Sequence, residues 1–330
     1  TRDSRFGAVA DVREPTTYLA GPAGVESRVE MVVERTKSVF GVADIVTNLG
    51  AVRPIDRTVV QMLKPTAVVS LMFGGNDWRP HEVDLAACWE RGIAVAGVDE
   101  VAIDLFRFTG LRIVWFLLEL GIEPVGARLL FAGCGPVFCR VMGFMADIGA
   151  RVVAVTSEPQ EVVGQRGGEK LAERLDQPEA HEALAGADAL LTFDPLRQRT
   201  FIGLKGDITA GMLAEISPAI SVVNYSGRVD RAGLEAAGIP CFPRHDPGGG
   251  HSANTIGEIL PAPVIELHTA GLKVGEIMAR SRLAGQPPEE AEQAAVASGL
   301  GEDLRPWFSV RLTKAAETCW AQVKRGAREA

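Results

Sequence analysis

The sequence lacks paired cysteines, an excess of basic residues and a long hydrophobic run. Its five cysteines are scattered and form no Cys-x-x-Cys pair, which excludes a disulfide framework and favours a reducing, cytoplasmic location. The net charge of −8 argues against a nucleic-acid partner, which would need a basic face. The most apolar helical run, Ile113 to Leu118, is too short to span a bilayer, so no membrane partner is expected.

Metal-ligand spacing and internal repeats are also missing. No group of His, Cys, Asp or Glu has the spacing of a metal site, so no metal is predicted. No segment repeats and none is of low complexity, so no repeat architecture is indicated. The sequence does have 330 residues, of which 47% are hydrophobic, enough for two domains of ordinary size with a large core.

The stretch from Ala127 to Pro159 gives the clearest indication of a fold. An apolar run at Leu129–Ala132 has the length of a buried parallel strand, and the turn Gly133–Pro136 follows it. A stretch with helical periodicity comes next and ends at Gly149, before a second strand at Arg151–Val155. This order predicts one βαβ unit of a dinucleotide-binding fold.

The glycine turn of this unit suits an anion. Gly133 lets the chain turn sharply, and Gly135 lets the backbone approach a pyrophosphate. The helix N-terminus adds free N–H groups and the positive end of a dipole. An ordinary glycine turn in an α/β protein is the alternative interpretation. The cofactor contacts predicted in this unit are Gly133, Cys134, Gly135, Pro136, Val137, Phe138, Thr156 and Ser157.

Two features depart from the usual dinucleotide motif. Phe138 stands where the third glycine of G-x-G-x-x-G normally permits close packing of helix on strand. Thr156 and Ser157 stand where an acidic residue would hold the ribose 2′-hydroxyl, with Glu158 just beyond them. Because no Arg follows at once to favour a 2′-phosphate, the expected cofactor is NAD or NADP, with the choice left open.

The remaining sequence alternates strands and helices, which implies an α/β fold with a parallel open sheet. Strands are predicted at Asp44–Leu49, Val68–Phe73 and Ile93–Val98. An amphipathic helix is predicted over Val25–Val39. From Pro159 to Gly186 the pattern predicts a loop followed by two helical pieces.

A second block of sequence, from Gly186 to Asp230, contains a family-like order of residues. An acidic residue, Asp188, opens a strand, and Pro195-Leu196 and Thr200 follow. A helix then leads to a strand that ends in Asn224-Tyr225-Ser226. This block resembles the D-2-hydroxyacid dehydrogenase family.

The resemblance implies two Rossmann-like domains with parallel sheets, a discontinuous outer domain, a helical C-terminus, a nicotinamide cofactor and a homodimer. The outer, substrate-binding domain is expected at residues 1–122 plus 261–330 and the dinucleotide-binding domain at 123–260. Hinges are expected near Gly121–Gly126 and Pro261–Pro263. The further cofactor contacts that the resemblance implies are Pro195, Thr200, Asn224, Tyr225 and Ser226.

The resemblance also implies an Arg that holds the substrate carboxylate and a His that donates a proton, supported by an acidic residue. These types suit hydride transfer, because Arg binds carboxylates bidentately and His titrates near neutral pH. The family's Arg position holds Gly227, so Arg228, one residue later, is the candidate. The candidate His is His251, with His245 as a rival.

The segment that carries the acidic partner in the family is nearly absent, and Asp246 and Glu258 remain alternatives for that role. Gly74, Gly75 and Asn76 are the predicted substrate-binding residues, because the equivalent loop of the family offers backbone N–H groups to a carboxylate. A plain tight turn is the alternative there.

The predicted function is an NAD(P)-dependent oxidoreductase that acts on a small 2-keto or 2-hydroxy carboxylate. The Arg, the His and the acidic residue all depart from the family pattern. The alternative is therefore a non-redox enzyme that binds the cofactor, such as a lyase or cyclase, or a binding protein. A methyltransferase is a further alternative, because the turn at Phe131–Pro136 is similar to an S-adenosylmethionine turn. The Pro-Leu and Thr block argues against that last assignment.

Overall fold

The computed structural model describes residues 9–32, 34–48, 52–194, 199–244 and 261–312. It is an α/β structure with parallel sheets and a helical C-terminal region, as the sequence predicted. The chain divides into two compact units. The first unit comprises Thr1–Asp99 and Leu267–Leu304, and the second comprises Glu100–Glu266 and Arg305–Ala330.

Strands and helices alternate along most of the chain. The strands are β1 (Ile45–Thr47), β2 (Val68–Ser70), β3 (Ala94–Val98), β4 (Arg128–Gly133), β5 (Arg151–Val155), β6 (Glu169–Ala172), β7 (Ala189–Phe193), β8 (Thr200–Ile202), β9 (Ser221–Asn224), β10 (Arg228–Val229), β11 (Cys241–Phe242) and β12 (Gly301–Glu302). The helices are α1 (Val9–Ala20), α2 (Lys37–Phe40), α3 (Arg57–Met62), α4 (Leu85–Glu90), α5 (Phe106–Glu119), α6 (Gly135–Asp147), α7 (Gln160–Gly164), α8 (Pro178–Gly186), α9 (Ala210–Ile216), α10 (Arg231–Ala236), α11 (Pro261–Leu283), α12 (Pro288–Ala297) and α13 (Arg305–Leu312), with short 3₁₀ helices at Glu26–Arg28 and Gly75–Asp77.

The first unit contains a four-stranded sheet in the order β1-β2-β3-β12. β1, β2 and β3 run parallel, as expected for strands joined by helical crossovers. β12 pairs antiparallel with the end of β3 and sets Glu302 beside Gly97. β2 and β3 are buried along their whole length and apolar except for Ser70, and they pack against α11 and α12.

The second unit contains a six-stranded sheet in the order β11-β9-β7-β4-β5-β6, and every neighbouring pair is parallel. Counted within this unit from β6, the order is 3-2-1-4-5-6, the arrangement of the dinucleotide-binding fold. The order reverses between β4 and β7, and ligands bind outside the carboxyl ends of strands at such a point.

Helices cover both faces of this sheet, because successive side chains of each strand point to opposite sides. Leu129 and Phe131 of β4 lie in a core shared with α5 and α6. Leu130 and Ala132 lie in a second core shared with α8, α9 and α10. Both cores need strands that are apolar throughout, which is why the Leu129–Ala132 run indicated a buried parallel strand.

Helix α5 belongs to the second unit because it packs closely on α6. A Cβ at Gly110 would lie 2.5 Å from the ring of Phe144, so only glycine permits this approach. The compact units therefore divide the chain near Asp99 and Glu266, whereas the predicted domains count α5 with the outer domain. The predicted hinge at Gly121–Gly126 lies inside the second unit.

Two local predictions from the sequence are wrong. A helix was predicted over Val25–Val39. Among the described residues of this stretch, only the 3₁₀ turn Glu26–Arg28 and the start of α2 at Lys37 are helical. Val29 and Val32 are 40% and 48% exposed, so these two residues of the expected apolar face are not packed in a core. Between Pro159 and Gly186 the structure contains the strand β6 where helix was expected. Within the described residues, no helix combines the length and apolar character needed to cross a membrane.

Candidate functional site

The turn at the end of β4 lies directly against the end of β7. Gly133 pairs with Phe193 at the end of β7 and has a φ of 137°. A Cβ on Gly133 would lie 1.7 Å from the carbonyl oxygen of Phe193, which no side chain permits. Cys134 then donates its N–H to the same oxygen at 3.3 Å. The first glycine of the motif is therefore required by the junction of β4 with β7.

The N-terminus of α6 lies directly after this turn. Cys134 is its N-cap residue, without a capping bond from its side chain, and Gly135 has a φ of 97°. Pro136 lies in the first turn, where a missing N–H costs nothing. The N–H of Val137 also lies in that turn, where no helical carbonyl can accept it. The turn therefore presents glycine backbone and a helix dipole, which fit a pyrophosphate.

A buried carboxylate stands beside the turn. Glu158 is 2% exposed, and its Oε1 accepts the N–H of Gly135 at 2.9 Å. Its own N–H donates to Oγ1 of the buried Thr156 at 3.0 Å, which fixes the loop after β5. Ser157, between them, is exposed. Glu158 therefore brings to the glycine turn the carboxylate that Thr156 and Ser157 cannot supply.

The position of Glu158 relative to the glycine turn is visible in the sequence. Glu158 follows Gly135 by 23 residues, near the spacing of about 20 residues at which this fold holds a ribose hydroxyl. The usual motif has its acidic residue directly after the strand, where Thr156 and Ser157 stand. The loop between β5 and α7 carries the acidic group one to two residues further on.

Phe138 lies in the core. Its side chain is fully buried, and its ring meets those of Phe131 and Phe193 edge-on at centroid distances of 6.1 and 6.2 Å. Phe131 and Phe193 are themselves stacked at 5.6 Å. An aromatic cluster therefore fills the place where the third glycine of the motif would let helix and strand approach. Because the side chain of Phe138 is buried, the predicted contact of this residue with a cofactor could involve only its backbone.

Polar side chains gather at the carboxyl ends of β7 and β9. Thr192 donates its hydroxyl to Oδ1 of Asn224 at 2.9 Å, and both side chains are buried. Ser226 accepts the N–H of Asp194 through Oγ at 2.9 Å. Tyr225 stacks on Phe193, with ring centroids 5.0 Å apart. The predicted contact Asn224 thus ends β9, the strand two places from β4, and Tyr225 and Ser226 follow directly after it.

Arg228 and Thr200 lie on a separate two-stranded sheet. Arg228 is exposed and opens β10, which pairs parallel with β8 through Thr200. Gly227 has a φ of 94°, and a Cβ there would lie 2.5 Å from the ring of Phe201. The family's Arg position therefore has no room for any side chain, and the arginine stands one residue further along.

The predicted substrate loop of the first unit already holds a carboxylate. Gly74, Gly75 and Asn76 are all buried. The N–H of Gly75 donates to Oε2 of Glu302 at 2.5 Å. A Cβ at Gly74 would lie 3.0 Å from the same oxygen. The N–H of Gly75 therefore binds a carboxylate of β12 of the chain itself, and the contact of this turn with a substrate carboxylate stays a prediction.

Several predicted residues lie outside the described residues. These are Pro195 among the cofactor contacts, His251 as proton donor, and the alternatives His245, Asp246 and Glu258. Within the described part of the chain, no three His, Cys, Asp or Glu side chains come together as metal ligands.

Known proteins resemble this chain in fold. No protein-family model matches the chain, and no curated protein matches it. Among solved structures, a 2-hydroxyacid dehydrogenase from Ketogulonicigenium vulgare Y25 is 16% identical, with a TM-score of 0.50 over 76% of this chain and 85% of that one. A putative D-isomer specific, NAD-binding 2-hydroxyacid dehydrogenase from Polaromonas sp. JS6 66 is also 16% identical, with a TM-score of 0.50 over 78% and 89%.

The predicted resemblance to the D-2-hydroxyacid dehydrogenases is confirmed at the level of the fold. At this identity the likeness extends to the architecture of α/β units with parallel sheets. The chemistry has to be argued from the residues of the chain.

Proposed function

We propose that this chain is an NAD-dependent oxidoreductase acting on small 2-keto or 2-hydroxy carboxylates. The observation that carries the proposal is the hydrogen bond from Gly135 to the buried Glu158 at the reversal point of the six-stranded sheet. That reversal point is where this fold binds dinucleotides, and an acidic group there accepts ribose hydroxyls. A carboxylate also repels a 2′-phosphate, which favours NAD over NADP.

In this proposal, the residues of the chain hold and orient the cofactor, which supplies the hydride. In this turn, the N–H of Val137 would bind the pyrophosphate at the start of α6, since the N–H groups of Cys134 and Gly135 donate to Phe193 and Glu158. Glu158 accepts hydrogen bonds from the adenosine ribose. Asn224 and Ser226 lie at the carboxyl end of β9, where their polar groups would orient the reactive end of the cofactor.

Arg228 and His251 remain the proposed catalytic residues. Arg228 would hold the substrate's acidic and keto groups, for which its exposed guanidinium is accessible. His251 would deliver the proton to the keto oxygen, a role suited to an imidazole near neutral pH. We also propose a cytoplasmic homodimer with the predicted domain division, on the strength of the resemblance.

The direct test is oxidation of NADH by a panel of small 2-keto acids, followed at 340 nm. Turnover with at least one acid, and slower turnover with NADPH, is the expected result. Failure of every acid, with NADH binding intact by calorimetry, would refute the redox activity while leaving the cofactor site in place.

A non-redox enzyme or a binding protein is the second candidate, and the geometry of Gly227 favours it. The family's arginine position cannot carry a side chain here, because the ring of Phe201 fills the space. An enzyme that uses a bound nucleotide without net oxidation does not need that arginine. NADH binding without turnover on the panel would make this candidate the better account.

A further inference from the structure

The turn that follows β2 lies against the carboxyl end of β3 in the first unit. Val98 donates its N–H to the carbonyl of Phe73 at 3.0 Å, which fixes the start of the turn. Three buried glycines are found there, Gly74 and Gly75 in the turn and Gly97 in β3, and we name them the glycine cradle. In open α/β sheets, ligands bind outside the carboxyl ends of the parallel strands. The glycine cradle therefore lies at the edge where a site is expected.

A carboxylate oxygen of the chain itself occupies the glycine cradle. Oε2 of Glu302 accepts the N–H of Gly75 at 2.5 Å. A Cβ added to Gly74 would lie 3.0 Å from this oxygen, and a Cβ added to Gly97 would lie 3.8 Å from it. The absence of side chains from the three glycines thus makes the space that the carboxylate fills. The cradle binds this group through a charge-assisted hydrogen bond from the backbone.

The backbone of Glu302 is held in place, whereas its side chain is partly exposed to solvent. Gly301, the preceding residue, pairs with Val98 of β3. A Cβ on Gly301 would lie 2.7 Å from the backbone of Ala295, so β12 packs tightly on α12. The side chain of Glu302 can leave the cradle by a change of rotamer, which takes far less time than a movement of the strand. Emptying the cradle therefore does not require β12 to separate from β3.

We infer that the glycine cradle is the carboxylate site of the first unit and that Glu302 keeps it closed until the carboxylate of a small organic acid takes its place. The exchange replaces one charge-assisted hydrogen bond at Gly75 by another, and the carboxylate of Glu302 passes into water. Because Glu302 belongs to the same chain, it competes with the external acid at a high effective concentration.

This competition sets the apparent affinity of the site. An external acid binds more weakly than to an open cradle, in proportion to the fraction of molecules in which the cradle is open. Glu302 is thus an internal competitor that restricts the site to acids that displace it. That the acid is a 2-keto or 2-hydroxy carboxylate rests on the proposed function.

Calorimetric titration with pyruvate, without nucleotide, tests the inference on the full chain. Glu302→Ala should bind pyruvate about tenfold more tightly than the wild type, because no internal carboxylate has to be displaced. Glu302→Gln should have an intermediate affinity, since it keeps an oxygen acceptor for Gly75 and loses the charge. Glu90→Ala is the matched control, because it removes the same charge from the surface of the same unit, where Glu90 pairs with Arg57 at 2.7 Å. Its affinity for pyruvate should equal that of the wild type.

Two results of this titration would overturn the inference. The first is an affinity in folded Glu302→Ala or Glu302→Gln that does not exceed that of Glu90→Ala. The second is the absence of pyruvate binding from the wild type and from every variant. Circular dichroism establishes that each variant is folded, and Glu302→Gln, which keeps the size of the side chain, serves if Glu302→Ala does not fold.

Amide NMR of the wild-type chain locates the bound acid without any substitution. Pyruvate should shift the amide resonance of Gly75 and leave that of Gly92 unchanged, because Gly92 precedes β3 at the opposite edge of the sheet. No shift at Gly75 under saturating pyruvate would contradict the cradle as the site. NADH binding, titrated separately, distinguishes the two proposals, because the dinucleotide site is assigned to the second unit. Tighter pyruvate binding by Glu302→Ala without any NADH turnover would refute the proposed function and leave the cradle in place.

Discussion

Replacing Gly133 by alanine is expected to destabilise the second unit because the new Cβ has no space. Gly133 has a φ of 137°, and a positive φ costs an L-residue about 1–2 kcal/mol. The Cβ would lie 1.7 Å from the carbonyl oxygen of Phe193, so β4 and β7 must separate at this point. That movement breaks the hydrogen bond from Cys134 to Phe193, worth about 1 kcal/mol. Together these terms predict a loss of about 2–3 kcal/mol and a Tm lower by roughly 5–10 °C.

Urea unfolding followed by circular dichroism measures this loss, with Gly143→Ala as the matched control. Gly143 lies in α6, where the atom nearest to a Cβ would be Cδ of the flexible Arg166 side chain at 3.3 Å. Alanine in a helix is about 1 kcal/mol better than glycine, so this variant should be as stable as the wild type or more stable. A Gly133→Ala variant within about 0.5 kcal/mol of the wild type would refute the account of the turn.

Further predictions concern four single side chains. Burial raises the pKa of the Cys88 thiol to about 12, so N-ethylmaleimide at pH 8 should label Cys88 only after unfolding; rapid labelling of the native chain would contradict its burial. Glu158→Gln should raise the affinity for NADPH relative to NADH by about tenfold, because a charge facing the 2′-phosphate is removed. If calorimetry finds the same ratio of the two affinities as in the wild type, the contact of Glu158 with the ribose is contradicted. Arg228→Gln should mainly raise the KM for the keto acid, and His251→Ala should lower kcat by about 10²–10⁴-fold; full turnover in His251→Ala would exclude it as the proton donor.

The sequence predicted the central βαβ unit because its signals are local. The apolar run, the glycine turn and the closing Gly149 lie within one short segment, and the structure has β4, α6 and β5 there. β5 spans Arg151–Val155, the range that the pattern indicated. A strand buried on both faces and a helix with one apolar face are visible without knowledge of their neighbours.

The elements that the sequence did not predict depend on distant partners. β6 is an edge strand that begins with Glu169 and Lys170, so it lacks the apolar pattern of a buried strand. β12 has two residues and exists because it pairs with β3, about 200 residues earlier in the chain. No local pattern specifies such short or polar strands.

The candidate site likewise has one part that local sequence predicts and another part that it does not. The backbone turn at Gly133–Pro136 could be predicted because glycine and helix periodicity adjoin each other. The contact made by Glu302 with Gly75 could not, since it joins residues 227 positions apart. The ion pair of Arg53 with Glu82 also depends on folding, because the two residues are 29 positions apart.

Calorimetric titration of the wild-type chain and of Gly135→Val with NADH tests the central claim most directly. The wild type should bind NADH, and Gly135→Val should not, because a branched side chain would occupy the space of the pyrophosphate beside α6. Circular dichroism and a cooperative unfolding transition would establish that the variant is folded. Equal affinity in a folded Gly135→Val, or no NADH binding by the wild type, would contradict a dinucleotide site at this turn.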